Sequence, residues 1–359
     1  MTGRIAIVGA GVVGRLLALR LADAGRAVTL FDRGTLSSRT ACSYAAAGLL
    51  APVAEAAHAV DAEICQLGLL SMALWEEILP RLSHPVTFRR EGTLALVRDQ
   101  DQAELVDLSD KIKRRLPDAR CQHLTEGELA TLEPALAGSG YAGLYFAEEG
   151  RIHNHEAMAA LGETLEQTSV CLRLGVEVRA VEPGAVVTDA GRESYDLVID
   201  CRGFGARQDI ADLRGVRGEL VQVHAPEVGL TRPVRILHQR YPIYIVPRGE
   251  HTYAVGATCL ESESLAPVTV KAALELLGSL SAVHPGFRYG EITGLYANCR
   301  PAFADNRPRI RHQDGLLRVN GLFRHGFLYS PIVTAAAAAK VTGAALPTGT
   351  ASLFEREHA

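Results

Sequence analysis

The hexapeptide Gly9-Ala10-Gly11-Val12-Val13-Gly14 constrains this chain more than any other feature of its sequence. It follows a short apolar run, RIAIV at 4–8. It opens a stretch over 11–25 whose apolar positions 12, 13, 16, 17 and 21 share one face of a helix. A second β-type run, AVTLF at 27–31, comes next, so a strand–turn–helix–strand unit is predicted. Each glycine of such a GxGxxG turn has its own reason. Gly9 allows the tight turn, Gly11 lets the backbone approach a pyrophosphate, and Gly14 lets the helix pack closely on the strand. The helix start then offers free N–H groups and the positive end of its dipole to phosphates. Asp32 closes the second strand, where a carboxylate accepts hydrogen bonds from a ribose diol. Strand, helix and acid together point to a dinucleotide, but they do not separate a flavin from a nicotinamide.

Composition narrows the class. A chain of 359 residues supports two or three domains around a large core. The net charge is −4 and no basic stripe occurs, which argues against a nucleic-acid partner. The most apolar late stretch, 327–346, is largely alanine and contains Lys340, so it lacks the roughly 20 strongly apolar residues of a membrane span. The apolar run at 5–8 is too short for a signal-peptide core, so a cytoplasmic protein is expected. Seven cysteines stand singly with no CxxC pair; buried free thiols are expected, and no metal site.

Periodicity predicts helices over 66–81, 100–116, 126–129, 155–166 and 270–280, with an alanine-rich helix at the end. It predicts strands over 91–97, 172–181, 185–187, 197–200, 219–224, 235–237, 243–247, 252–256 and 317–320. Nucleotide-type elements thus sit at the start, middle and end, with β-rich segments between them. The expected fold is α/β. A Rossmann-type domain from 1–82, 145–212 and 295–359 is interleaved with an α+β substrate-binding domain, built on an antiparallel sheet, from 83–144 and 213–294.

Two further segments favour FAD. YDLVIDCRGFGAR at 195–207 is an apolar strand whose end, Cys201 to Gly205, suits a close backbone approach, with Gly203 at its centre. Upstream, Val178 belongs to a run that suits a strand beside an adenine. ACSYAAAGLLAP at 41–52 has two readings, a tightly packed helix start or a surface of small residues against a flat ring, and Ser43 would offer a hydroxyl to a phosphate. Arg33, Ser43, Ala46, Ala47, Gly48 and Leu49 therefore join Gly9, Gly11, Val12, Val13, Gly14, Asp32, Val178, Cys201 and Gly203 as candidate cofactor contacts.

Several motifs recur in one order: GAGVVG, CSYAAAGLLAP, EEGRIHN at 148–154, VRGELVQV at 216–223, YIVPR at 244–248, VGAT at 255–258, CRPAFADNRPRI at 299–310 and GLFRHGFLYSP at 321–331. In this the chain resembles the D-amino-acid oxidase superfamily of flavoproteins, and within it the glycine oxidase branch linked to thiamine biosynthesis. The resemblance implies two interleaved domains, noncovalent FAD, and oxidative deamination of a small amino acid or amine with O2 as acceptor. Oligomers are common in the resembled family. The family's RP arginine, which pairs with the substrate carboxylate, falls on Arg300, and its substrate-proximal tyrosine on Tyr244. Its FRxG motif, close to the flavin ring, falls on 323–326, which brings Arg324, His325, Gly326, Phe327 and Leu328 to the cofactor. The chain departs from the family at His325, where Asn is commoner, at Ala302 and Phe303, at Tyr44, and in lacking a proline after EEGRIHN. These changes are expected to line or flank the site and to put glycine as substrate in doubt.

Chemistry agrees with those placements. A guanidinium matches a carboxylate bidentately, and such a clamp would fix the substrate Cα–H over the flavin. Arg307, Arg309 and Arg311 read as surface loop arginines. Tyr241 and Tyr244 would face opposite sides of one strand, so Tyr244 is preferred for the substrate. Arg324 would place positive charge by the flavin, and His325 either tunes oxygen reactivity or caps the helix. No acid–base pair stands out. That suits a cofactor that carries the hard step, with a neutral amine giving up a hydride from Cα. Two alternatives remain open: a D-amino-acid or secondary-amine dehydrogenase feeding a quinone or carrier, and a non-catalytic flavoprotein subunit.

Overall fold

The computed structural model describes residues 3–57, 62–237 and 243–356. Its first sheet has seven strands, in the order Phe354–Arg356, Arg309–Gln313, Leu316–Asn320, Leu197–Asp200, Arg4–Val8, Ala27–Asp32 and Cys171–Leu174. All neighbouring pairs are parallel except Arg309–Gln313 with Leu316–Asn320. Ile5 to Val8 are buried, as a central parallel strand covered on both faces requires. Helix Val12–Asp23 buries Val12, Leu16, Leu17, Ala18 and Leu21, and the C-terminal helix Gly326–Thr342 packs on it and on Ala62–Ile78.

The second large sheet has nine strands and is antiparallel at every pairing but one, Val234–Ile236 with Thr93–Arg98. Its longest members, Arg214–His224 and Glu291–Ala302, run side by side with Val216 opposite Arg300 and Gly218 opposite Asn298. The largest apolar core packs the seven-stranded sheet and its helices and also takes in Ala95, Val97, Ala142, Leu144 and Phe146 of the nine-stranded sheet, while a second core lies within the nine-stranded sheet and its helices. Ala47, Leu220, Val246 and Ala254 form a separate small cluster. The α/β reading holds. The seven-stranded sheet draws on 4–32, 171–200 and 309–356, and the nine-stranded one on 93–146 and 214–302. Positions 145 and 295 fall inside strands Tyr141–Phe146 and Glu291–Ala302 rather than between elements.

Three local expectations change. The run 172–181 is two strands in different sheets, Cys171–Leu174 and Val178–Glu182, because Gly175 turns the chain at φ 69°. Arg309 and Arg311 are not loop arginines. They lie on a strand, ion-pair with Asp212 and Glu355, and stack on Phe303. Arg307 pairs with Glu63. The seven cysteines are free thiols, but only Cys65, Cys201 and Cys299 are buried, and Cys171 is exposed. No described helix is long and apolar enough to cross a membrane.

Candidate active site

A cleft of about 680 Å³ runs between the two sheets. At one end it meets Asp32, Arg33 and Val176 to Val178, and it passes Gly9, Gly11, Val12, Val13 and Ser43 at the start of the first helix. Cys201, Gly203 and the run Ala45 to Leu49 form its flanks. Its far end is walled by Glu55, Arg235, Tyr244, Ala257, Cys259, Arg300 and the segment Phe323 to Phe327.

The three motif glycines have different causes. A Cβ on Gly9, whose φ is 104°, would stand 2.6 Å from the Cys201 carbonyl, and one on Gly14 would stand 1.8 Å from the Gly9 carbonyl. The chain itself demands both. A Cβ on Gly11 would meet no described atom closer than Ser43 Oγ at 3.7 Å. Its space opens into the cleft, so the glycine is kept for something the chain does not supply. Beside it, Ser43 Oγ accepts from the Val12 N–H at 3.1 Å. The Asp32 carboxylate accepts from the N–H groups of Ala10 at 2.6 Å and Gly34 at 2.7 Å, which locks the turn while its oxygens border the cleft. An elongated cleft, a backbone cradle at a helix start and an acid at the next strand end fit a dinucleotide.

At the far end, Arg300 reaches over the neighbouring strand. Its Nη1 donates to the Thr258 carbonyl at 3.0 Å, and a Cβ on Gly218 would lie 2.3 Å from its Cζ. Gly218 is thus the slot in which the guanidinium lies. Thr258 is held from behind: Glu219 accepts from its hydroxyl at 3.2 Å and from Arg217 at 2.8 Å. Tyr244 lies against Gly256, where a Cβ would stand 3.0 Å from its ring. Burial pushes the Tyr244 hydroxyl up, and neighbouring Arg300 and Arg324 pull it back.

Arg324 donates to Glu55 Oε2 at 2.5 Å, and His325 Nε2 lies 3.6 Å from the same oxygen. Burial opposes the Arg324 charge, but Glu55 outweighs it and the pKa rises. Burial pushes His325 down to about 4, so this imidazole is neutral at pH 7. Phe323, just before them, adopts φ 49°, a left-handed conformation rare for a bulky residue, and its N–H donates to the Pro301 carbonyl at 2.9 Å. That bond ties the loop after the parallel sheet to the strand that carries Arg300.

Most candidate residues named from the sequence therefore border one cleft. Leu328 does not: it is buried behind the wall. Gly14 is packed against the turn. Tyr241 lies outside the described residues. Tyr44, Ala302 and Phe303 are buried and absent from the cleft walls, so of the departures named from the sequence only His325 borders it. Three charged groups were missed. Glu149 is fully buried, accepting from Arg235 at 3.0 Å, from the Ala54 N–H at 2.7 Å and from the Thr93 hydroxyl, and burial raises its pKa. Arg235 borders the cleft beside it, and Glu55 ends the short helix Pro52–Glu55. The acid in EEGRIHN was the available signal, since acids are rarely buried unless paired.

A family model described as FAD dependent oxidoreductase (DAO) matches residues 4–340. The chain is 39% identical over 328 residues to a Rhizobium etli protein named as the thiamine biosynthesis oxidoreductase ThiO, covering 91% of this chain and 93% of that one. It is 28% identical over 346 residues to a glycine oxidase of Geobacillus kaustophilus, at 91% and 90% coverage. The crystal structure of glycine oxidase from G. kaustophilus superposes with a TM-score of 0.86 at 26% identity over 100% of both chains.

Proposed function

Because this chain belongs to the DAO family of FAD-dependent oxidoreductases, we propose that it oxidatively deaminates a small amino acid of the glycine type, with Arg300 as the ligand of the substrate carboxylate. Its cofactor is FAD. When bound, FAD supplies a two-electron acceptor at its ring and returns the electrons to an external acceptor. Gly11, Val12, Val13 and Ser43 would hold the pyrophosphate, Asp32 and Val178 the adenosine, and Ala46 to Leu49, Gly203 and Gly326 the ring and its ribityl chain. In this reading 1–82, 145–212 and 295–359 make the FAD-binding domain, and 83–144 with 213–294 the substrate-binding domain.

The observation that carries the proposal is the Arg300 guanidinium. It lies flat on Gly218, is anchored by the Thr258 carbonyl, and has no carboxylate partner among the described residues. A cleft-facing cation left in that state is matched by an anion from outside. Arg300 would fix the substrate carboxylate in two hydrogen bonds, and the Tyr244 hydroxyl, kept protonated by burial, would donate to it from the side. The two contacts would orient Cα–H towards the cofactor. The amine enters neutral, so no strong base of the chain is required. With O2 as the acceptor the bound flavin would supply peroxide chemistry, and water would hydrolyse the imine product to an oxoacid and ammonia.

Arg300→Ala tests this. The variant should keep its flavin, while anaerobic flavin reduction by glycine or sarcosine slows at least roughly a hundredfold, a loss of about 3 kcal/mol of transition-state binding. Methylamine, which has no carboxylate, should be affected far less. Equal rates for wild type and variant with the amino acid remove Arg300 from the substrate site. Peroxide release in air, measured on the same samples, separates O2 from a quinone or carrier as acceptor.

A further inference from the structure

Among the described residues, the guanidiniums of Arg235, Arg300 and Arg324 border the substrate end of the cleft. Two of them are already matched: Arg235 by Glu149 at 3.0 Å and Arg324 by Glu55. Glu149 does double duty, since it also accepts from the Ala54 N–H and so holds the short helix that ends in Glu55. The helix end that carries the carboxylate beside Arg324 is therefore tied to Glu149, in the turn after strand Tyr141–Phe146. Its side chain is 15% exposed and that of Arg324 is 26% exposed, and both border the cleft. Arg300 is left as the guanidinium whose charge is not matched by a carboxylate among the described residues.

We infer that Glu55 is a specificity-determining residue: by neutralising Arg324 it limits the site to amino acids with a single carboxylate. The inference rests on the reading of Arg300 as carboxylate ligand. A guanidinium that borders a cleft attracts any anion that reaches it. With Glu55 in place, a second substrate carboxylate meets a like charge and, among the described residues, no unmatched guanidinium but Arg300, and that repulsion discriminates against dicarboxylates. Without Glu55, Arg324 becomes a second anion site beside the first, and substrates with two carboxylates gain what the wild type denies them.

The test uses the flavin-loaded protein and two non-oxidisable probes, acetate and malonate, with binding followed by titration calorimetry. Wild type should bind acetate more tightly than malonate. Glu55→Gln, which keeps the shape and removes the charge, should move the acetate-to-malonate affinity ratio towards malonate by at least roughly tenfold. The relative kcat/KM for glycine and D-aspartate should move in the same direction. The double variant Glu55→Gln with Arg324→Gln should return both ratios towards wild type. An unchanged ratio in Glu55→Gln, with acetate binding still abolished by Arg300→Ala, overturns the role of Glu55 alone. Undiminished acetate binding in Arg300→Ala overturns the carboxylate clamp and this inference with it. If Glu55→Gln does not fold, wild type still decides: malonate bound as tightly as acetate overturns the proposal.

Discussion

His155 and His325 carry a consequence for the working pH. His325 stacks edge-on against Tyr329 beside Glu55, and His155 sits between Tyr44 and Tyr296 with Nε2 2.9 Å from the Tyr44 carbonyl. Burial pushes both imidazoles from the ordinary 6.5 down to about 4. The unfolded chain takes up these protons near pH 6.5, whereas the folded chain resists them until about pH 4. The unfolded state therefore binds more protons in that window, and stability rises with pH. The contribution of the two groups is fully present above pH 6.5 and is lost as pH falls towards 4. Thermal melts should show Tm dropping over this window, with a visibly shallower slope in His155→Gln. A slope identical to wild type would show that His155 does not titrate differently on folding.

The first helix and its turn act as one element, and Gly11 and Gly218 report on different halves of the cleft. Because a Cβ at Gly11 meets no protein atom within ordinary contact except Ser43 Oγ, Gly11→Val should fold but lose its flavin, with at least roughly a hundredfold weaker FAD binding, about 3 kcal/mol. Colour and FAD release on acid precipitation measure this, and a variant as yellow as wild type places the cofactor elsewhere. Gly218→Ala should do the opposite. Its new Cβ displaces the Arg300 guanidinium, the flexible end of a side chain, so the flavin stays and KM for the amino acid rises roughly tenfold or more, about 1.4 kcal/mol. Unchanged KM would show that the slot does not position Arg300. The strand Glu291–Ala302 that carries Arg300 was not predicted. As an edge strand it exposes Glu291, Ile292 and Leu295, so its sequence lacks the alternation of a half-buried strand.

The cleft is lined from both sheets, so a cofactor held there would bridge them. Ligand that binds only the folded state stabilises it by mass action. Protein stripped of flavin should melt at a lower temperature, and FAD added at a thousandfold its Kd should restore about 4 kcal/mol. Differential scanning calorimetry with and without FAD measures it, and a Tm indifferent to FAD would show that the cleft is not its site. Glu149 belongs to the same junction. One buried carboxylate holds Thr93 and Arg235 of the antiparallel sheet and Ala54 of the short helix Pro52–Glu55.

What could be read from the sequence was local and periodic. The glycine turn, its flanking strand and helix, and Asp32 are bound to one another within 32 residues, so spacing and side-chain type were enough. The strands 197–200 and 252–256 were visible for the same reason, as short apolar runs between turn residues. The quoted motifs added the cofactor and named Arg300 and Arg324. Only the tertiary structure decided how charge is distributed around them. Glu55 and Arg324 are 269 positions apart, Glu149 and Arg235 are 86 apart, and nothing in a local window marks either pair. A surface arginine and one matched in a cleft have the same side chain. Desolvation and the nearest carboxylate separate them, and both come into being only when distant segments pack.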